Sequence, residues 1–521
     1  MLERRKLQRL PLSYADFRTI REGNYKYIDK TEYIYNLVEQ GGMFFLARPR
    51  RFGKSLTLRT IQALYQGSEN LFEGLWIHDY WDFTKIHPVF HLSMKSVEFK
   101  ECDLLTGLTH ELDSIAKNEG IVCTQKTMPR RFAEILQALS KRAKVVVLID
   151  EYDAPIMEFL GADTQKAREN RDVLRTFYTV LKENDTLLEF VMLTGITKFT
   201  KVGVFSGLNN LTDISMSEEY AGMLGYTQTE LEANFQEYIQ AVGDRRSLSY
   251  QEMLEKMKFW YNGYRFNVEC PTMYNPVSLH LLFFNKEFNN FWFETGTPTG
   301  LIQHLLQERL YRFELKMINK SEFSTFDIDA INTYSLLLQT GYLTLGSKND
   351  FDEYQLIYPN YEVEKSMVGH LLTAFSGLEP GSGPSWASRA ERAFLENDIA
   401  LVISILQTVF KNIPYHLHEK RSEAFYHASV HLLFTYMGVK VQSESATNDG
   451  RSDALLTTPT HIYIIEFKLD KTPAIAFKQI YNKEYAKAHA HQGKPVIGIG
   501  INFSSETKNI DGYCMAELYG A

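Results

Sequence analysis

Apolar and polar positions divide the chain into three blocks. Gly42 to Ala47 is a short apolar run. It is followed by Leu56, Leu58, Ile61 and Leu64 at helical spacing within Ser55 to Tyr65, with Gly67 as the stop. Lys144 to Ile149 is a continuous apolar run, the pattern of a strand covered on both faces of a parallel sheet, and Phe190 to Leu193 is a shorter one. Strands alternating with helices predict a doubly wound α/β parallel sheet over residues 1–216. Helical periodicity then dominates residues 217–412, in Tyr226 to Tyr238, Tyr250 to Trp260 and Thr333 to Thr340. This block predicts a helical lid or connector, with a winged-helix element as one form of it; residues 376–385, rich in Gly, Pro and Ser, read as a loop. Residues 413–521 read as helix, three strands, helix, strand. The first helix is Glu423 to Met437, stopped by Gly438. Val439, Val441 and Ser443 alternate along a strand. Ser452 to Leu456 and His461 to Phe467 form a hairpin around Thr457-Thr458-Pro459-Thr460. Thr472 to His489 is the second helix and Pro495 to Phe503 the last strand.

Composition narrows this picture only slightly. A length of 521 residues exceeds one core, and about three domains is the natural expectation. The 44% hydrophobic and 23% charged content is ordinary for a globular chain, and 13% aromatic residues imply cores filled by large rings. A formal charge of -8 does not advertise nucleic-acid binding, although a local basic patch suffices for it. The four cysteines lie far apart without C-x-x-C spacing, which argues against a zinc site or a disulfide framework and fits a reducing cytosol. No apolar signal core and no run of about 18 apolar residues occurs. The expectation is a soluble, cytoplasmic protein that engages no membrane.

Arg51-Phe52-Gly53-Lys54-Ser55 lies between a predicted strand and a predicted helix, the context a phosphate-binding loop needs. Backbone N–H groups at the helix start surround the phosphates, the lysine reaches the β and γ oxygens, and the serine hydroxyl ligates Mg²⁺. The usual first glycine of such a loop is here Arg48, so the loop must turn differently, with Pro49 the candidate. Val145 to Ile149 ends in Asp150-Glu151. Asp150 is placed to hold Mg²⁺ and Glu151 to polarise the attacking water. Thr194 ends the next apolar strand; it reads either as a γ-phosphate sensor or as an ordinary strand-end residue.

Four strings carry a resemblance: Arg48-Pro49-Arg50-Arg51-Phe52-Gly53-Lys54-Ser55, Tyr27-Ile28-Asp29-Lys30-Thr31, Asp150-Glu151-Tyr152-Asp153-Ala154-Pro155-Ile156 and Phe205-Ser206-Gly207-Leu208-Asn209-Asn210-Leu211. Together they resemble the bacterial AAA-ATPase-like family, which commonly carries a C-terminal PD-(D/E)XK nuclease-like domain. The resemblance spans nearly the whole chain and implies that Arg48 is normal at its position. Trp260-Tyr261-Asn262-Gly263-Tyr264-Arg265-Phe266 and Tyr274-Asn275-Pro276-Val277-Ser278 fit the same family. By similarity to signal-transduction ATPases, Pro276 sits near the nucleotide at a lid junction; an ordinary turn before a helix accounts for it equally well. Arg265 reads as a packing residue before a phosphate contact, and Arg50, Arg51, Lys198 and Lys201 as solvated charges before phosphate or nucleic-acid ligands.

In the last block, residues two apart on a strand share a face, so Glu466 and Lys468 point the same way and the hairpin partner brings Asp453 beside them. Two carboxylates then hold Mg²⁺, the metal lowers the pKa of a bound water, and Lys468 positions that water and offsets negative charge building on the phosphorane. Glu-x-Lys alone has no weight: it recurs at Glu98-Phe99-Lys100 and Glu314-Leu315-Lys316 without an aspartate hairpin. The order of elements, Asp453 and the apolar run Ile462 to Ile465 together resemble the PD-(D/E)XK, restriction-endonuclease-like αβββαβ core. That resemblance implies Glu423 as a further acidic site residue and Gln479 as a polar one. For Glu423 a helix-start acid favoured by the dipole is the even alternative. His427 and His431, one turn apart, read as surface or packing residues.

The function expected is ATP binding and hydrolysis coupled to metal-dependent phosphodiester cleavage of nucleic acid, DNA first. Its cofactors are ATP and Mg²⁺, and its partners a nucleic acid and, as a homo-oligomer, the chain itself. The alternative is an ATPase switch whose nuclease-like domain binds nucleic acid or a protein without cutting.

Overall fold

The computed structural model describes residues 7–161, 163–199, 204–205, 208, 210–292, 305, 317–323, 328–329, 332–376, 389–390, 392–411, 430, 432–434, 440–447, 450–482, 485–489 and 493–520. For 372–376, 440–452 and 488 it describes the backbone alone. The predicted loop at 376–385 begins on a helix-end residue, Ser376; the rest of it, with Lys201, Glu314, Lys316, Glu423, His427 and His431, lies outside the described residues. The chain forms two compact units, residues 1–296 with 313–363 and residues 297–312 with 364–521.

In the first unit β1 (Gly42–Ala47), β2 (Val89–Ser93), β3 (Val145–Asp150), β4 (Leu188–Gly195) and β5 (Thr212–Asp213) form one sheet in the order β2-β3-β4-β1-β5. Every pairing in it is parallel. All six residues of β3 are buried, which is why its sequence is a continuous apolar run and not an alternating one. Crossover helices include α1 (Lys54–Tyr65), α2 (Leu104–Asn118), α3 (Met128–Ser140) and α4 (Thr164–Glu183). Asp103 and Asp163 cap α2 and α4 by accepting from backbone N–H groups in their first turns.

A helical layer follows: α5 (Gln228–Arg246), α6 (Tyr250–Tyr261) and α7 (Pro276–Asn285). Thr227 with Glu230 and Ser249 with Glu252 make reciprocal capping boxes that fix where α5 and α6 begin. Their inward faces, Leu231, Phe235, Ile239, Met253 and Met257, pack with Leu279 and Leu282 of α7 in one core cluster. The unit also holds α8 (Thr333–Thr340) and an antiparallel sheet, β6 (Met317–Asn319), β7 (Thr344–Lys348) and β8 (Glu353–Ile357), ordered β6-β8-β7. After β8 begins α9 (Tyr361–Ser376).

The second unit contains α10 (Ile399–Lys411), β9 (Lys440–Thr447), β10 (Gly450–Thr457), β11 (Ile462–Leu469), α11 (Pro473–Asn482), β12 (Val496–Ser504) and β13 (Asn509–Tyr519). The strands order as β13-β12-β11-β10-β9, with only the central β11–β12 pair parallel. The hairpin and the last expected strand fall where the sequence pattern puts them, but α11 ends at Asn482, short of the expected His489, with a separate 3₁₀ turn at Lys487–His489. β13 is one strand beyond that pattern and pairs antiparallel with β12. The helix α11 lies close on β12, where a side chain at Gly500 would stand 2.5 Å from the Pro473 carbonyl and the Phe477 amide. No helix among the described residues is long and apolar enough to cross a membrane.

Candidate phosphate-loop and paired-carboxylate sites

β1 is held on both sides, by β4 from Gly42↔Phe190 to Ala47↔Gly195 and by β5 at Phe44↔Thr212. Its carboxyl end therefore presents the following loop from a fixed base, at the edge where open α/β sheets take ligands. Arg48 does not face that edge as a glycine substitute. Its buried guanidinium donates to the carbonyls of Ala47 (3.0 Å), Ser215 and Tyr220 (3.3 Å) and lies 4.1 Å from the centre of the Phe266 ring. Burial pushes it down to about 9, against the pull of Asp213. The turn that Pro49 was expected to supply is made instead by Arg51 (φ 68°) and Gly53 (φ 101°), both in the left-handed region. Nothing lies within 4 Å of where a Cβ of Gly53 would be, so backbone can approach a ligand there.

Lys54 opens α1, and its ammonium donates to the loop carbonyls of Arg48 (2.7 Å) and Pro49 (2.8 Å). Burial pushes it down to about 8, while Asp150, Asp153 and Glu151 draw it back up. The Ser55 hydroxyl donates to one oxygen of Asp150 (2.5 Å) and the Thr194 hydroxyl to the other (2.6 Å). The structure thus brings Lys54, Ser55, Asp150 and Thr194 together, as hard oxygen ligands suited to Mg²⁺ beside an ammonium suited to phosphate. Glu151 sits just beyond β3 at φ 53°, a conformation that costs a non-glycine residue about 1–3 kcal/mol and clusters at functional sites. One of its oxygens accepts from Lys95 (2.5 Å); the other is buried with no hydrogen-bond partner. Such an orphaned acceptor fits a water that it would hold and deprotonate.

The side chains of Arg51 and Phe52 turn away from this cluster. Arg51 donates to the Phe291 carbonyl (3.4 Å), and Phe52 packs edge-on against Tyr264 and Phe266. What these two residues can offer a phosphate is backbone N–H. Pro276 is the first residue of α7, and Asn275 before it caps that helix while donating to the Arg50 carbonyl (3.4 Å). The lid junction therefore does meet the loop, through Asn275. Sequence reasoning missed Asn275, Lys95 and Glu362. Glu362 is fully buried and accepts from Ser278 (2.9 Å) and from the amides of Phe291 (2.7 Å) and Trp292 (2.9 Å). Burial pushes it up to about 7.

In the second unit the β10–β11 ladder ends at Ala454↔Ile465. Beyond it the carboxylate of Asp453 takes over the pairing and accepts from the Phe467 amide (2.8 Å). Glu466 accepts from the Asp453 amide (3.4 Å) and from the Lys468 ammonium (3.2 Å). The three predicted heads converge. Glu466 is only 1% exposed, and burial together with the Asp453 charge pushes it up to about 7, with Lys468 opposing. Two acids and an amine held so close fit a divalent cation, which would relieve the repulsion between the acids. The described residues contain no cluster of three His, Cys, Asp or Glu ligands, so solvent would complete the shell, as is usual for Mg²⁺. Gln479, on α11, hydrogen-bonds Tyr485, which is buried and within electrostatic reach of Glu466, Asp453 and Lys468. Tyr485 was not found from sequence: it falls inside the helix expected over Thr472 to His489, whereas the structure ends that helix at Asn482 and leaves Tyr485 beyond it. The decoy Glu98 and Lys100 lie exposed, against His110 and Glu158.

Residues 11–205 match the family described as predicted AAA-ATPase, and residues 421–512 match the PD-(D/E)XK nuclease superfamily. An uncharacterized protein in the vnfD 5′ region of Azotobacter chroococcum mcd 1 is 37% identical over 98% of this chain and 99% of its own length. Among solved structures, a Walker-type ATPase of Pyrococcus abyssi covers 70% of this chain and 98% of its own at 13% identity, with a TM-score of 0.32. With the relative matched from end to end and the two domain families on the units that carry the two clusters, the chain belongs to the predicted AAA-ATPase family bearing a C-terminal PD-(D/E)XK nuclease-superfamily domain.

Proposed function

We propose that the protein binds and hydrolyses ATP at the Lys54–Ser55–Asp150 cluster and cleaves phosphodiester bonds of DNA at the Asp453–Glu466–Lys468 cluster. The observation that carries the nuclease reading is the burial of Glu466 between Asp453 and Lys468. A binding surface has no need to hold one acid out of water beside a second acid, against the cost of desolvation and of like charge. Asp453 and Glu466 would hold Mg²⁺, which supplies Lewis acidity toward the scissile phosphate. Lys468 orients the attacking water and offsets the negative charge that develops on the phosphate oxygens. At the other site Ser55 and Asp150 would hold Mg²⁺ and Lys54 the phosphates. Glu151 accepts the proton of the water, and Thr194 keeps Asp150 in place from the far side. Localisation in the cytoplasm and a homo-oligomeric state complete the proposal.

Supercoiled DNA incubated with the full chain, Mg²⁺ and ATP tests it. Nicking or linearisation by the wild type, lost with Lys468→Ala while DNA binding persists, is the expected result. DNA binding without cutting at any nucleotide condition would leave the alternative, an ATPase switch with a non-cleaving nuclease-like domain.

A further inference from the structure

A cavity of about 670 Å³ lies at the carboxyl ends of β4, β1 and β5, a volume within the usual range for small-molecule sites. Ala47, Arg48 and Pro49 form one wall and Ile196 and Lys198 another. Lys54, Ser55, Asp150 and Glu151 do not line it. The cavity and the phosphate loop share the segment Arg48–Pro49, whose carbonyls hold Lys54.

Its charge is lopsided for a protein of net charge -8. Arg48, Lys198, Arg265 and Lys320 line it against the single acid Asp213. Asp213 is already engaged by Lys198 at 2.5 Å. Both guanidinium groups carry a buried Nε–H with no hydrogen-bond partner, although Arg48 is otherwise held by carbonyls and Arg265 also donates to the Gly346 carbonyl (3.2 Å). Arg48 is 1% exposed. Buried donors of this kind ordinarily have partners, and a phosphate oxygen supplies the charged acceptor that each Nε–H lacks. The rest of the lining mixes apolar and aromatic side chains, including Phe266, Phe323, Leu338 and Leu345, with Ser215, Ser217, Ser321 and Gln339.

We propose that this cavity is a second ligand site, separate from the phosphate loop, for a phosphorylated ring compound of the nucleoside monophosphate class. Its phosphate meets Arg48, Arg265 and Lys320, and its ring lies among the apolar side chains. The site does not depend on what the phosphate loop binds.

Calorimetric titration of the full chain carrying Lys54→Ala, with AMP, inorganic phosphate and adenosine as probes, tests this. AMP binds this variant, inorganic phosphate binds at least about tenfold more weakly for want of the ring, and adenosine does not bind. Adding Arg265→Gln, or Lys320→Glu at an exposed position that leaves the fold intact, weakens AMP roughly tenfold or more, the scale of a lost charge-assisted hydrogen bond. Loss of AMP binding with Lys54→Ala overturns the proposal, because the phosphate loop is then the whole site. An AMP affinity unchanged by both cavity substitutions overturns it as well, and equal binding of phosphate and AMP overturns the ring assignment.

Discussion

Glu362→Gln should make the first unit more stable at neutral pH and remove a pH dependence that the wild type has. Burial raises the Glu362 carboxyl from 4.5 to about 7, although Ser278, two amides and Arg51 all favour its charged form. Between these two values the unfolded chain has released the proton while the folded chain still holds it. The stability tied to that proton is therefore fully present below 4.5 and is lost as pH rises through about 7. From about pH 5 to about pH 8 the loss is about 2.5 kcal/mol, since each tenfold change in proton affinity is worth about 1.36 kcal/mol. Glutamine keeps the geometry: its oxygen accepts from the amides of Phe291 and Trp292, and its nitrogen donates to the Ser278 hydroxyl. Urea unfolding followed by tryptophan fluorescence reads this unit, because Trp76, Trp81, Trp260 and Trp292 belong to it and only Trp386 to the other. The wild-type minus variant difference should move by about 2.5 kcal/mol between the two pH values, the wild type faring better in acid. A difference that stays constant across that range refutes the reasoning and means that Glu362 titrates as an exposed acid does.

Glu151→Gln should leave ATP affinity near wild type and slow turnover by roughly 10²–10⁴-fold, the usual yield of a positioned base, read by phosphate release. Thr194→Ala should cut turnover by a smaller factor, since it frees one oxygen of Asp150 but leaves Ser55 in place; a loss as large as that of Glu151→Gln would contradict this. Gly500→Ala should destabilise the second unit by about 1–3 kcal/mol, the range for forced overpacking, because its new methyl meets backbone atoms of Pro473 and Phe477. Unchanged protease resistance of that unit would count against so close an approach.

Buried parallel strands were the most legible elements. Val145 to Ile149 and Gly42 to Ala47 are apolar without interruption because both faces are covered, and the structure reproduces them within a residue. β13 was illegible for the opposite reason: most of its residues are at least partly exposed, so its side chains alternate only weakly in polarity. β2, with every second residue partly exposed, escaped in the same way. In the paired-carboxylate site, Asp453, Glu466 and Lys468 could be read because a two-residue period and a hairpin dictate who faces whom. Tyr485, Lys95 and Asn275 reach their clusters from distant segments, through packing that no local pattern encodes. Arg48 shows the limit most plainly. Its type contradicts the usual loop, and only the carbonyls of Ser215 and Tyr220, far along the chain, explain why an arginine is at home there.

The central place of β1 has a consequence for biosynthesis. Its partner β4 emerges about 150 residues later, which at ribosomal speed is a delay of roughly 8 to 30 seconds. Until then the nascent segment that ends in Lys54 has an unsealed edge and no platform to aim it. Nucleotide competence therefore arrives in a single late step, and fragments released before Gly195 should be inert and prone to clump.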